Sequence, residues 1–319
     1  MRKLERSLIR NPDFSQPLRL PLFTKGLRFY PNLRNNAEIF VLLQTKSLNM
    51  DENRITSLQN NKIKRLVLLQ QKSAERRRCG LFVVEGQREL YHCIEAGYEV
   101  EQIFVSENFV PSSDSLGGIP LSLFNTFKTN AVTAQVYERI AYRGSTEGIV
   151  GIIKSKTLQL QDVQLGENPL LMILERVEKP GNLGAVLRSA DAAHADAVIV
   201  CDPLTDLYNP NLIRASLGAV FSVPVLTCSS DNCITFLKQK GIQILTAQLQ
   251  DSRLYYDTPM TGPTAIVMGT ESTGLTDQWR IAADAHIRIP MLGRLDSLNV
   301  SVSAAILLFE AVRQRTLMQ

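Results

Sequence analysis

The stretch "IPMLGRLDSLNVSVSAAILLFEA", Ile289–Ala311, changes character halfway along. Val300, Ala304, Leu307, Leu308 and Ala311 recur at helical spacing and predict a buried helix. Ahead of that helix lies a loop with a proline, a glycine, an arginine, an aspartate, apolar Met291 and Leu298, and the polar pair Ser297 and Asn299. Asn299 suits the N-cap of the helix. Capping accounts for one polar residue; the apolar side chains and open backbone beside it predict a slot for a flat ligand.

Working outward, apolar runs and amphipathic stretches alternate from Pro169 to the end. The expected strands are "LLMILERV", "AVIVCD", "IQILTA", "TAIVMG" and "HIRIP"; the expected helices start near Asn182, Asn211, Asp231, Thr276 and Asn299. Such alternation predicts a parallel sheet with helices on both faces, with ligands at the carboxyl ends of the strands. Two more loops fall there. In "ERVEKPGNLGAVLRSADAA", Pro180-Gly181 turns the chain and Asn182 can cap a helix that carries Arg188. In "VMGTESTGLTDQW", Gly269 and Gly274 free the backbone, and Glu271 can cap or pair with a basic residue. Neither loop has the G-x-G-x-x-G dinucleotide fingerprint or the G-K-[ST] of a P-loop.

A smaller α/β unit precedes this. Residues 55–78 are expected as a helix with Leu58, Ile63, Leu66 and Leu69 inward and Lys62, Lys64, Arg65, Lys72, Arg76, Arg77 and Arg78 outward, a surface suited to phosphates. Strand, helix and strand follow in "LFVVEG", "QRELYHCIEAG" and "VEQIFVS", then "PLSLFN", "AVTAQVYERIA" and "EGIVGIIK". The domains are read as a basic leader (1–54), a small α/β domain (55–154), a polar linker (155–168) and a C-terminal domain (169–319).

Of the chain's 35 Lys/Arg and 31 Asp/Glu, nine and three lie in residues 1–49, a balance of +6 that leaves −2 for the rest. The leader is read as dispensable upstream sequence, a basic tail or an organelle transit peptide. With 319 residues, 45% hydrophobic and 21% charged, the chain can bury a sizeable core, and no apolar run is long enough to span a membrane. Five cysteines without C-x-x-C spacing argue against a disulfide framework and against a zinc site, so no metal is expected. The three histidines are scattered and read as structural.

Three segments in order, "NLGAVLRSAD", "MGTESTGL" and "IPMLGRLDSLNVSVSAAI", together with "NPNLIRASLGAVFSVP" between them, resemble the SpoU branch of the SPOUT RNA methyltransferases. Residues 62–153 are similar to the small RNA-binding domain that precedes many SpoU catalytic domains. Where many relatives have an Asp-Pro pair, this chain reads Glu178-Lys179-Pro180.

The resemblance implies a trefoil-knotted α/β fold, a homodimer through the knotted domain, and S-adenosylmethionine as the donor for methylation of a ribose 2′-OH in RNA. Ribosomal RNA is favoured by the preceding domain; transfer RNA, or a non-catalytic RNA-binding protein of the same fold, stand as alternatives. By resemblance, Asn182, Arg188, Glu271, Ser297 and Asn299 are the catalytic positions, and Thr246, Ala247, Met268, Gly269, Ile289 and Leu298 contact the donor. Lys62, Lys64, Lys72, Arg76, Arg77 and Arg78 are the RNA-binding candidates. The expected location is the cytoplasm, or an organelle if residues 1–49 are a transit peptide.

Overall fold

The computed structural model describes residues 54–109, 115–116, 119–120, 126–141, 148–294 and 297–317. The leader up to residue 53, most of the expected strand "PLSLFN", and Leu295-Asp296 lie outside them. Among the described residues no helix is long and apolar enough to cross a membrane.

The expected helix over 55–78 is two helices, α1 (Asn61–Gln71) and α2 (Ser73–Cys79), which break at Lys72, an extended residue. Asn60 caps α1 by accepting from the Lys62 amide, so Leu58 lies outside the helix and is exposed. Then come β1 (Leu81–Glu85), α3 (Gln87–Glu95), β2 (Val100–Ser106), the short hairpin β3 (Ser115–Leu116) and β4 (Ile119–Pro120), β5 (Thr129–Val132), α4 (Ala134–Ile140) and β6 (Ile149–Lys154). Four of these strands form a sheet in the order β1-β6-β2-β5. Ile63, Leu66 and Leu69 bury α1 against one face of it, with Val83, Phe104 and Ile152.

The second sheet has seven strands, all paired in parallel, in the order β11-β13-β10-β12-β7-β8-β9. In chain order its elements are β7 (Leu170–Glu175), α5 (Pro180–Ala192), β8 (Ala197–Cys201), α6 (Pro210–Ser216), α7 (Ala219–Ser222), β9 (Val225–Cys228), α8 (Ser230–Gln239), β10 (Gln243–Ala247), β11 (Arg253–Leu254), β12 (Thr264–Met268), α9 (Asp277–Ala282), β13 (Ala285–Arg288) and α10 (Val300–Thr316). The strands β7, β8 and β12 are buried at every position, as continuous apolar runs in a sheet covered on both faces should be. On one face pack α5, α6 and α10; on the other, Leu237 of α8 and Trp279 of α9 meet Ile173 and Ile199. Helices α5 and α6 approach closely at Gly184, where a Cβ would lie 2.6 Å from that of Ala215.

The two sheets share one apolar core, which runs from Phe82 and Leu90 through Met172 to Val220 and Phe221. At the junction the Phe82 ring stacks on Tyr208 at 4.2 Å between centroids, and Lys156 lies 4.4 Å over the Tyr98 ring. Arg76 is also here, contrary to its expected place on the outward basic face. It is 5% exposed, its Nε donates to Asp206 at 2.7 Å, and its Nη1 donates to the carbonyls of Leu69 and Gln70. A guanidinium so far from water must be fully paired, and Asp206 with two carbonyls does that.

Replacing Arg76 with Ala therefore leaves Asp206, whose side chain is only 11% exposed, without its cation. The expected loss of stability is about 3–5 kcal/mol, read by urea denaturation. Arg77→Ala, at an exposed neighbour, should stay within about 0.5 kcal/mol of the parent.

Candidate active site

A cleft of about 690 Å³ opens at the carboxyl ends of β10, β12 and β13. Its walls are the two glycine-containing loops and the start of α10, with Ala247, Met268, Ile289, Met291, Leu298 and Gly269 among the lining residues. Ile289 and Met291 are half-buried and Leu298 is 39% exposed, an apolar side chain held partly in water. Gln248, Thr270 and Ser297 bring polar groups to the same cleft.

Of the six expected donor contacts, Thr246 is not on this wall. It is fully buried, and its Oγ1 lies 2.6 Å from Nδ1 of His286 on the neighbouring strand β13. Side chains alternate along a strand, so when Ala247 faces the cleft, Thr246 turns away from it. Gly269 is required by the loop itself: a Cβ there would sit 2.3 Å from the Gly274 carbonyl. Gly274 has φ +68, and Thr270 and Gly274 exchange backbone hydrogen bonds that close the turn.

At the edge of the cleft the Glu271 carboxylate gathers three loops. It accepts from Lys179 Nζ, from Asn182 Nδ2 at 2.6 Å and from Asn299 Nδ2 at 3.4 Å; Asn299 also donates to Asn182 Oδ1 at 3.3 Å. The Lys179 hydrogen bond first, and the Lys179 charge and Asn182 after it, hold the carboxyl below the ordinary glutamate range despite some desolvation. The same pairing pushes Lys179 up. Asn299 caps α10 as expected, accepting from the Ser301 amide at 2.9 Å. Asn182 does not cap α5. Lys179 holds the cap position, Pro180 follows, and the Asn182 side chain is left free for Glu271. Lys179 was missing from the expected site, though its pairing was foreshadowed by the need of Glu271 for a basic partner.

Arg188 stands apart. It is exposed on α5, and no hydrogen bond or ion pair joins it to Glu271, Asn182 or Asn299 among the described residues. Nor does it line the cleft. An arrangement in which Glu271 and Asn299 orient Arg188 is not formed within one chain.

Of the basic candidates on the smaller domain, Lys64, Lys72 and Arg77 are exposed. Lys62 donates to Asn130 at 2.8 Å, and Arg78 pairs with Glu75. With Arg76 buried, the outward basic surface is smaller than charge counting implies.

Residues 169–309 match the SpoU rRNA Methylase family, and residues 60–151 match the MRM3-like substrate binding domain. The 23S rRNA (guanosine-2′-O-)-methyltransferase RlmB of Photobacterium profundum is 35% identical over 235 residues, covering 70% of this chain and 96% of that protein. A crystal structure of an RNA 2′-O ribose methyltransferase superposes with a TM-score of 0.71 at 37% identity, over 82% of this chain and 99% of the other. The AdoMet-bound rRNA methyltransferase from Sinorhizobium meliloti gives a TM-score of 0.73 at 27% identity, over 82% and 97%.

Because Glu271 is held ionised, any stability it contributes is fully present above the pKa it has in the unfolded chain and is lost as pH falls through its lowered folded value. A carboxyl NMR titration should show Glu271 with a midpoint below the ordinary value of about 4.3. In Lys179→Met the midpoint should rise toward that value; an unchanged midpoint would remove Lys179 as its main partner.

Proposed function

The chain belongs to the SpoU rRNA methylase family, and from that premise we propose that it transfers a methyl group from S-adenosylmethionine to a ribose 2′-OH of ribosomal RNA. The observation that carries the reading is the cleft at the carboxyl ends of β10, β12 and β13, with the Glu271 cluster on its edge. The cleft fits the donor. Ile289, Met291 and Leu298 offer apolar faces to a flat base, and Gln248 and Thr270 offer polar groups to the remainder.

The donor supplies a methyl group already activated on a sulfonium, so the chain's contribution is largely positioning. Leu298 and Ile289 hold the adenine; Ser297 and Asn299 face the incoming RNA. Glu271, fixed by Lys179 and Asn182, sets the side chain of Asn299. The attacking hydroxyl must lose its proton as the new bond forms. Arg188 does not take it, since an arginine stays protonated in proteins; it holds a phosphate of the target and stabilises the developing alkoxide.

Arg188 lies outside the cleft of its own chain, so this role needs a second copy. The exposed face of α10 supports pairing: Val302 and Phe309 are each 47% exposed, with Ile306 half-buried between them at helical spacing. A homodimer through α10 and the adjoining α5 covers that stripe and puts Arg188 at the partner's cleft. The knotted threading of this domain belongs to the same reading. The smaller domain, with Lys64, Lys72 and Arg77 outward on α1, α2 and the break between them, binds the RNA substrate electrostatically. The chain works where ribosomes are assembled, in the cytoplasm or in an organelle if residues 1–49 direct it there, and a chain starting at Met50 keeps donor binding and pairing.

Calorimetry should show binding of S-adenosylmethionine and none of NAD. Leu298→Asp should weaken the donor by about tenfold or more, since desolvating even part of a charge costs above about 1.4 kcal/mol. Tight NAD binding with no response to the donor would end the methyltransferase reading.

Arg188→Ala should leave donor affinity near the parent value while single-turnover methyl transfer to ribosomal RNA falls by about two to three orders of magnitude. Arg188→Lys should recover little of it, because one ammonium does not reproduce a planar fork. A rate within about twofold of the parent, against the loss expected for such a group, would make Arg188 an ordinary solvated helix residue.

A further inference from the structure

Three of the five cysteines meet on the large sheet. Cys201 ends β8, Cys228 ends β9, and Cys233 lies in the first turns of α8. The parallel register sets Cys201 directly beside Cys228. The short step through Ser229, which caps α8, brings Cys233 back over both. All three Sγ atoms lie within 4.8 Å of one another. We propose that Cys201, Cys228 and Cys233 form a metal site that takes zinc(II) through three thiolates, outside the cleft assigned to methyl transfer.

The geometry needs little change. Zinc–sulfur bonds of about 2.3 Å in a tetrahedron put sulfurs about 3.8 Å apart, so modest side-chain rotations from the present spacing suffice. Cys201 and Cys233 are fully buried and Cys228 is half-buried, which leaves one side for the ion to enter and for a water to complete the tetrahedron. Among the described residues no histidine or carboxylate joins the group, so the donor set is purely soft and selects a thiophilic ion.

Charge decides between the thiophilic ions. Three thiolates around a divalent ion leave one net negative charge; around copper(I) they leave two, in a wall that includes Leu226, Leu237 and Trp279. The amino-terminal end of α8 points its positive dipole at this place and offsets one negative charge better than two. Binding replaces three S–H bonds with three Zn–S bonds and releases three protons to solvent.

The site also has a built-in reporter. Trp279, the only tryptophan of the chain, donates from Nε1 to Ser230 Oγ at 3.1 Å. Ser230 in turn donates to Asp202 at 2.6 Å, and the buried Glu175 accepts from the amide and hydroxyl of Thr276. Ser230 also donates to Glu175 at 3.4 Å, so one chain of hydrogen bonds joins the end of β8 to the indole and to Thr276.

The test uses the full chain, reduced and stripped of metal. Cobalt(II) added alone should bind one ion per chain, with thiolate-to-cobalt charge-transfer absorption and a change in Trp279 fluorescence. Zinc(II) should displace it. Cys228→Ser should lower zinc affinity by at least about tenfold, the loss that even an outer-sphere change produces, while Cys79→Ser matches the parent. On the unaltered chain, zinc should slow alkylation of Cys228 and leave that of the half-buried Cys79 unchanged, so the proposal stays testable if a variant fails to fold. Absence of charge transfer, cobalt binding untouched by Cys228→Ser, copper(I) as the only ion held, or a disulfide as the trio's only chemistry would each overturn it.

Discussion

One carboxylate, Glu271, ties together the loops at the edge of the cleft. Glu271 sits on the loop after β12 and binds Lys179 and Asn182 from the start of α5 and Asn299 from the cap of α10. Asn182 and Asn299 are 117 residues apart in the chain. The parallel sheet delivers all three loops to one edge, because every strand in it ends on the same side. A carboxylate that accepts from three side chains fixes them relative to one another. Ile289, Met291 and Leu298 line the same cleft as that anchor.

The smaller sheet is not a loosely tethered attachment. Phe82, Tyr98, Tyr208 and Phe221 form one aromatic cluster across the junction, and Arg76 with Asp206 adds a buried ion pair. The smaller domain, fixed this way, presents Lys64, Lys72 and Arg77 at a set position relative to the larger sheet. That suits a folded RNA, where affinity comes from phosphates and selection from the positioning of a single ribose.

Much of this was legible from residue order. Long apolar runs identified β7, β8, β10, β12 and β13, and the mixed loop before α10 pointed to the cleft. The misses have physical causes. The strand β9 is four residues with Thr227 exposed, and β11 is two residues, too short for a periodic signal. Arg76, Arg77 and Arg78 read alike, yet only the first meets an aspartate 130 residues away. Thr246 and Ala247 are neighbours on opposite faces of one strand, which motif matching does not separate. The meeting of Cys201, Cys228 and Cys233 was likewise hidden in the sequence, because a strand register and not a short spacing unites them.

The most direct test of the central claim is a map of ribose 2′-O-methylation across the ribosomal RNA of the source cells, with the gene intact and with it deleted. The account predicts the loss of methylation at a specific ribose of ribosomal RNA on deletion, restored by the parent gene and not by the Arg188→Ala form. An unchanged ribosomal RNA map, with a methyl group lost from transfer RNA or from no RNA at all, would contradict it.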